Sequence, residues 1–284
     1  MLSFTKISTW KECGKKFQYK YLDKVYIACP PEKQNTFDRG TLIHALIAKY
    51  LTYAKTLSDV ANMPMADSHQ EAKARACLAY QSLPVTSKGA GFSRTVGRDC
   101  YPELTEEVAC NILTVIQEEV LNGWRIYGIE LKDFASFNNF YSIFDCVLYY
   151  DKGNTRTYKI IDWKTGSKPH APITGADDQL AYYAVQLANR VASETRDKTV
   201  TIQAQYVTIL NKSFKVHCGS VLEIPKSFMM LASSDIGAMQ NLDNDTPELR
   251  ATLVKNTSNP FCRWCEYAEI CKADNDTNTQ KITE

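Results

Sequence analysis

Asp145 to Lys164 reads DCVLYYDKGNTRTYKIIDWK, two β-prone runs on either side of Asp151-Lys152-Gly153-Asn154. Short runs rich in β-branched and aromatic residues, divided by Gly and Asn, predict a β-hairpin. If Tyr150 pairs with Thr155, Asp145 lies opposite Ile160. Side chains alternate faces along a strand, so Ile160, Asp162 and Lys164 share one face with Asp145. A loop of odd length would reverse that result. Asp145 and Asp162 become diagonal neighbours, with Cβ atoms roughly 7–8 Å apart.

Two carboxylates so placed can converge on one divalent cation, with oxygen ligands at about 2.0–2.6 Å. Their flanks are apolar: Ile143, Phe144, Cys146 and Val147 around one, Ile160, Ile161 and Trp163 around the other. Burying two charges there is unfavourable without a compensating cation. Lys164, two residues beyond Asp162, puts an amine beside the acids. An amine there can orient a water attacking phosphate or stabilise developing negative charge. A structural Asp–Lys pair at a strand end explains the same residues equally well.

Around the hairpin the pattern alternates between helix and strand. Residues 3–22 predict helix, with Phe4, Ile7, Trp10, Phe17 and Tyr21 recurring at roughly helical spacing. Cys29-Pro30-Pro31 reads as a break. Residues 38–55 predict a second helix, capped by Asp38 and striped by Leu42, Ile43, Leu46, Ile47 and Tyr50. Further helices are expected over 69–81 and 103–122, with a flexible Gly- and Ser-containing loop over 82–102. Strands are expected at 125–131, 139–150 and 156–163, then a helix at 176–190. A second strand pair, 200–210 and 214–222, turns at Asn211-Lys212-Ser213, and 225–254 is mostly helical. This order predicts an α/β fold, a central mixed β-sheet flanked by helices.

With 284 residues, 44% hydrophobic and 23% charged, the chain suits a single domain through residue 271. Its parts are a helical region over about 1–122, a core over about 123–222 and a Cys-rich C-terminal part over about 223–271. A polar, disordered tail is expected over 272–284. No apolar run reaches 18 residues, so no membrane span is expected. Met1 to Lys6 lacks an apolar signal core, so a cytoplasmic location is expected. The net charge of +1 excludes a uniformly basic surface. Lys6, Lys11, Lys15, Lys16, Lys20 and Lys24 form a local cluster, either a phosphate-contacting or a solvated helix face.

Ten cysteines in a reducing compartment do not predict a disulfide framework. Cys29, Cys77, Cys100, Cys110, Cys146 and Cys218 lack ligand spacing and read as small core hydrophobes. Cys262, Cys265 and Cys271 are spaced as metal ligands, for Zn²⁺ or an iron–sulfur cluster, and leave one ligand to be found.

Ile160-Ile161-Asp162-Trp163-Lys164-Thr165-Gly166 resembles the D-x-K-T-G motif of RecB-like nucleases in the PD-(D/E)XK superfamily. Gln179-Leu180-Ala181-Tyr182-Tyr183 is similar to that family's Q-x-x-x-Y motif. Arg39-Gly40-Thr41-Leu42-Ile43-His44 resembles its R-G-x-x-x-H segment. Asp145 stands at the place of the family's metal-binding aspartate and Glu130 at that of an upstream acidic residue. The sequence departs from the pattern at Ser142, where glycine is usual, and at Gly14, where relatives often have proline.

The resemblance implies a restriction-endonuclease-like core and a Mg²⁺- or Mn²⁺-dependent DNA nuclease. It implies an exonuclease acting on single-stranded DNA or free ends. His44, Asp145 and Asp162 would bind metal. Lys164, Glu130, Gln179 and Tyr183 would join Asp145 and Asp162 in catalysis. Cys13 would complete a 4Fe-4S site with Cys262, Cys265 and Cys271, with zinc as the alternative. Repair, recombination, CRISPR adaptation and phage DNA metabolism are the settings implied, with partners in such complexes or a homo-oligomer. The other reading is a non-catalytic DNA-binding subunit that keeps a nuclease fold.

Overall fold

A computed structural model describes the protein except for residues 29, 60, 62, 81–84, 90–91, 98–99, 136–138, 257–259 and 274–284. The chain forms two compact units. One comprises Met1–Ala28, Phe134–Tyr141 and Ser234–Glu284, the other Cys29–Asp133 and Ser142–Ser233.

The first unit opens with β1 (Leu2–Ser3), α1 (Phe4–Glu12) and α2 (Gly14–Phe17), which runs into a π-turn at Gln18–Leu22. The second carries α3 (Pro31–Asp59), α4 (Met65–Tyr80), β2 (Val85–Gly89), β3 (Phe92–Val96) and α5 (Glu106–Val115) with its π-continuation Ile116–Leu121. Then come β4 (Arg125–Ala135), β5 (Phe140–Lys152), β6 (Thr155–Gly166), α6 (Gln179–Val191), β7 (Thr199–Leu210), β8 (Val216–Cys218) and β9 (Leu222–Glu223). α7 (Lys226–Ala238) leads back to the first unit, which ends with α8 (Pro247–Thr252), a 3-10 turn at Pro260–Trp264 and a helical turn over 268–273.

In the second unit β5 and β6 are antiparallel, β6 and β7 parallel, and β7 pairs antiparallel with β8 and β9, while β4 pairs with β5. This is the expected mixed sheet. The parallel step is bridged by α6, as a crossover requires. Helices cover both faces. Leu42, Leu46 and Tyr50 of α3, with α4 and α5, pack on Cys146, Leu148, Ile161 and Trp163. Leu180, Ala184 and Leu187 of α6 pack on Phe144, Val147, Ile160 and Ala204. Each fully buried Leu, Ile, Val or Phe among them contributes on the order of 1.5–3 kcal/mol.

The hairpin register differs from the expected one. Lys152 pairs with Thr155 and Asp151 with Arg156, so the loop is Gly153-Asn154 alone. Gly153 takes φ 57°, as a tight two-residue turn demands. The pairing slips by two residues, an even number, so the expected facing is kept over Cys146–Lys152. Cys146 pairs with Ile161, where the ladder ends, and Val147 rather than Asp145 lies opposite Ile160. Alternation also breaks in β5. Phe144 and Val147 lie in one cluster, Cys146 and Leu148 in the other, so an extra residue sits at Asp145–Cys146.

Other expectations change too. Pro31 opens α3 instead of breaking the chain, and Asp38 is a buried interior residue that accepts from Gln34 at 2.8 Å, not a cap. The expected loop over 82–102 contains the β2–β3 hairpin. Thr105 caps α5, accepting from the Val108 N–H. Cys77 and Cys110 are joined as a disulfide between α4 and α5 rather than being separate core thiols, because those helices bring their Cα atoms to 5.8 Å. Cys100 is exposed, Cys146 is buried and Cys29 lies outside the described residues. So does the expected tail beyond Ala273. In the basic cluster, Lys11 pairs with Asp235 and Lys16 with Glu12. No helix of the described residues is long and apolar enough to cross a membrane.

Candidate active site

Three side chains converge at the splayed end of the hairpin. His44 on α3, Glu130 on β4 and Asp145 on β5 each offer a ligand atom, and these atoms lie within 4.8 Å of one another. A nitrogen and two carboxylates are donors suited to a first-row or alkaline-earth dication.

Local structure explains each placement. α3 runs close to β6 because residue 40 is glycine; a Cβ there would lie 2.8 Å from Thr165 Oγ1. Arg39 anchors the same turn, donating to the Asn211 carbonyl at 2.8 Å and pairing with Glu103. Its guanidinium lies 5.2 Å from the Tyr101 ring and 5.9 Å from the Phe214 ring. One helical turn beyond Gly40, His44 Nδ1 stands 3.7 Å from Asp145 Oδ1. Glu130 has φ 46°, the left-handed region that a Cβ disfavours. Strain of this kind persists where surrounding structure and function hold it. Asp145 Oδ2 accepts the Trp163 backbone N–H at 2.8 Å, filling the ladder position that the bulge opens.

Asp162 lies beside this group but outside it. It is 4% exposed, and its Oδ2 is 2.5 Å from Lys164 Nζ. Lys164 also donates to Gln179 Oε1 at 3.1 Å, and Gln179 Nε2 donates to the Tyr183 hydroxyl at 2.7 Å. Gln179 and Tyr183 share one face of α6, as i and i+4 must. The Tyr183 ring rests on Phe144, with centroids 5.1 Å apart. The sequence-named residues of this unit thus form one three-ligand group and one hydrogen-bonded chain, Asp162–Lys164–Gln179–Tyr183.

The electrostatics follow from crowding. Burial pushes the Asp162 carboxyl up to about 6, helped by Asp145 and opposed by Lys164 and His44. Burial and the neighbouring Asp145 charge raise Glu130, against His44 and Lys132. At His44, burial pulls downward, but Asp145, Asp162 and Glu130 outweigh it and the net shift is upward. Excess negative charge at a shared point is what a cation would neutralise.

Two residues escaped the sequence reading. Asp178 caps α6 by accepting from the Leu180 N–H at 2.9 Å, and it accepts the Tyr206 hydroxyl at 2.6 Å. Tyr206 pairs with Asp162 in the β6–β7 ladder, and its ring lies 5.4 Å from Lys164 Nζ. An Asp just before a helical run was a legible cap signal; Tyr206 had none.

In the first unit, Cys13, Cys262, Cys265 and Cys271 line one cavity of about 290 Å³. Lys15, Lys16, Lys255, Arg263 and Lys272 share its wall. Gly14 makes the meeting possible, because a Cβ there would lie 2.9 Å from Leu253 Cα and from Val254 N. The Lys15 N–H donates to the Val254 carbonyl, and Asn256 Nδ2 donates to the Glu12 carbonyl at 3.0 Å. The donor set, four thiols in a wall whose basic side chains outnumber the single carboxylate Glu269, fits a thiolate-bound metal or cluster.

No curated protein matches the sequence. Among solved structures, a proposed exonuclease from Eubacterium rectale is similar at 10% identity and a TM-score of 0.37, covering 90% of this chain and 89% of that one. The alkaline exonuclease LHK-Exo from Laribacter hongkongensis is similar at 14% identity and a TM-score of 0.27, covering 74% and 93%. The sequence matches the family described as PD-(D/E)XK nuclease superfamily over residues 1–272. The ordered acids, lysine and glutamine of the site sit within that span, and the chain belongs to the PD-(D/E)XK nuclease superfamily.

Proposed function

We propose that the chain is a divalent-metal-dependent deoxyribonuclease that hydrolyses phosphodiester bonds at single-stranded DNA ends. The observation that carries this reading is the convergence of His44, Glu130 and Asp145 within 4.8 Å, beside the Asp162–Lys164 pair. His44, Glu130 and Asp145 would hold Mg²⁺ or Mn²⁺, with Asp162, paired to Lys164, as the further ligand that the family resemblance implies. A cation bound there supplies Lewis-acid polarisation of phosphate and a water that ionises near neutral pH. Lys164, steered by Asp162 and Gln179, orients the attacking water and faces the charge that develops on phosphorus. Tyr183 fixes Gln179, so the amine is held in place before substrate arrives.

Cys13, Cys262, Cys265 and Cys271 around one cavity would hold a 4Fe-4S cluster, the group that the family resemblance implies, with zinc as the alternative that four thiols also fit. Its role is structural, tying Cys13 to the C-terminal segment.

Anaerobically purified protein, given end-labelled single and double strands with Mg²⁺ or Mn²⁺, tests the reading. Wild type degrades single strands from an end, and Asp162→Ala and Lys164→Ala do not, while both keep the visible absorbance of the cluster. Undiminished cleavage by Asp162→Ala overturns the site assignment. DNA binding without cleavage by wild type supports the non-catalytic subunit instead.

A further inference from the structure

Lys164 carries its amine on a flexible four-carbon stem, and such a side chain keeps one position only where several partners fix it. Asp162 is one partner, with its Oδ2 2.5 Å from Lys164 Nζ. Gln179 Oε1 is the second, at 3.1 Å. The third is the ring of Tyr206, whose centroid lies 5.4 Å from the amine. Asp162 reaches the amine from the same strand, β6. Gln179 reaches it from the first position of α6, so its aim depends on where that helix begins.

The start of α6 is tied down by one oxygen. Asp178 Oδ1 caps the helix by accepting the Leu180 N–H at 2.9 Å. The same oxygen accepts the Tyr206 hydroxyl at 2.6 Å. That distance is typical of a hydroxyl donating to a carboxylate, one of the stronger hydrogen bonds. Burial first, and then Asp178, push the Tyr206 phenol above its ordinary range, so it keeps its proton and remains a donor. Tyr206 lies on β7, where it pairs with Asp162 of β6. It is buried, and its ring stacks with that of His170, centroids 4.0 Å apart. The contacts therefore close a ring. It runs from Lys164 to Gln179, to its neighbour Asp178, to Tyr206, and back through the β6–β7 ladder to Asp162 and Lys164.

Cap and tether are separable. Without the Tyr206 hydroxyl, Asp178 still accepts from Leu180 and the helix still starts there. A phenylalanine fills nearly the same space, so packing alone does not call for the hydroxyl. What the hydroxyl adds is a link between the start of α6 and the strand pair that carries Lys164. We propose that Tyr206 and Asp178 are positioning residues, which set the start of α6 against the sheet so that Gln179 meets the Lys164 amine. The inference rests on the nuclease reading above for what that amine does, and on the contacts alone for how it is held.

Two readouts test it in Tyr206→Phe, which removes only the hydroxyl, and in Asp178→Ser, which keeps a cap on a shorter side chain. The first is the rate at which acetic anhydride acetylates Lys164 in the metal-free protein, followed by peptide mass spectrometry, with the exposed Lys152 as reference. Both variants speed acetylation of Lys164 about fivefold, the worth of one hydrogen bond, and leave Lys152 unchanged. Gln179→Ala speeds it as well, and Tyr206→Phe then adds nothing further, as residues acting through one contact require. The second readout is cleavage of end-labelled single strands, where both variants lower kcat about tenfold and leave KM unchanged. An unaltered Lys164 rate in Tyr206→Phe overturns the proposal. So does the same acceleration by Tyr206→Phe with and without Gln179→Ala, since the hydroxyl would then act by general loosening. Wild type that cleaves no strand overturns the nuclease reading alone, because the acetylation rates stand without cleavage.

Discussion

The Asp145 carboxylate accepts the backbone N–H of Trp163, so one strand's metal-ligand candidate is held by the residue between the other strand's Asp162 and Lys164. Asp145 therefore has two separable tasks. One oxygen closes the hairpin where the bulge leaves the Trp163 amide without a ladder partner. The other faces His44. Asp145→Asn keeps an acceptor for Trp163 and loses the charge. It is expected to reduce metal-dependent cleavage by more than about 100-fold, beyond the loss of an outer partner, with its melting temperature nearly unchanged. Asp145→Leu removes the acceptor as well and destabilises by a further 1–3 kcal/mol or so. Cleavage assays and thermal melts on the two variants separate the tasks.

Glu130 makes the opposite trade. Its φ of 46° strains any residue with a Cβ, yet the strand uses that turn to aim a carboxylate at His44 and Asp145. Glu130→Gly and Glu130→Ala both remove the carboxylate, and both are expected to weaken metal binding. Only glycine relieves the backbone. Glu130→Gly is expected to be more stable than Glu130→Ala by about 1 kcal/mol. Urea melts of the metal-free proteins provide the comparison; equal stability would mean that the positive φ is not strained.

The hairpin was legible because Asp151-Lys152-Gly153-Asn154 announced a turn, though not which two residues formed it, and nothing local announced the bulge that breaks alternation at Asp145. The apolar stripe of α3 was also legible, but its start was misread. Pro31 has no N–H to lose at the first helical position, so a breaker elsewhere is an opener there. The strands of 85–96 hid among glycines and serines that signal loop. The role of Arg39 depends on Glu103, Tyr101, Asn211 and Phe214, all distant in sequence, and no local pattern could name them. The nearness of Cys13 to Cys262 was equally invisible in spacing, and came only with the family resemblance.

Gly14 decides whether that nearness survives. Its missing Cβ lets α2 lie against the backbone of Leu253 and Val254, and backbone cannot swing aside as a side chain can. Gly14→Ala is expected to push the Cys13 segment away from the C-terminal cysteines and to destabilise by about 1–3 kcal/mol. Iron and sulfide per chain, measured after anaerobic purification, should fall well below the wild-type content. Full cluster content in Gly14→Ala would show that the close approach is dispensable.

Lys159 supplies a pH dependence outside the site. It is 4% exposed, and its amine donates to the Val120 carbonyl at 2.8 Å, where the π-helical continuation of α5 leaves that oxygen facing the sheet. Burial lowers its pKa from 10.5 to about 8, against small upward pulls from Cys146 and Cys218. The folded state thus releases this proton before the unfolded state does. Below pH 8 both states hold it and the burial penalty is fully present. Between pH 8 and 10.5 the unfolded chain binds more protons, so this group's contribution to stability rises with pH. The total gain across the window is roughly 3 kcal/mol. Lys159→Met has no proton to release. It leaves the Val120 carbonyl without its donor at every pH, a constant offset that does not alter the slope. Urea melts of both proteins at pH 7 and pH 10 should show wild type improving relative to Lys159→Met by that order. A constant difference between them would place the Lys159 pKa at its ordinary value in the folded protein.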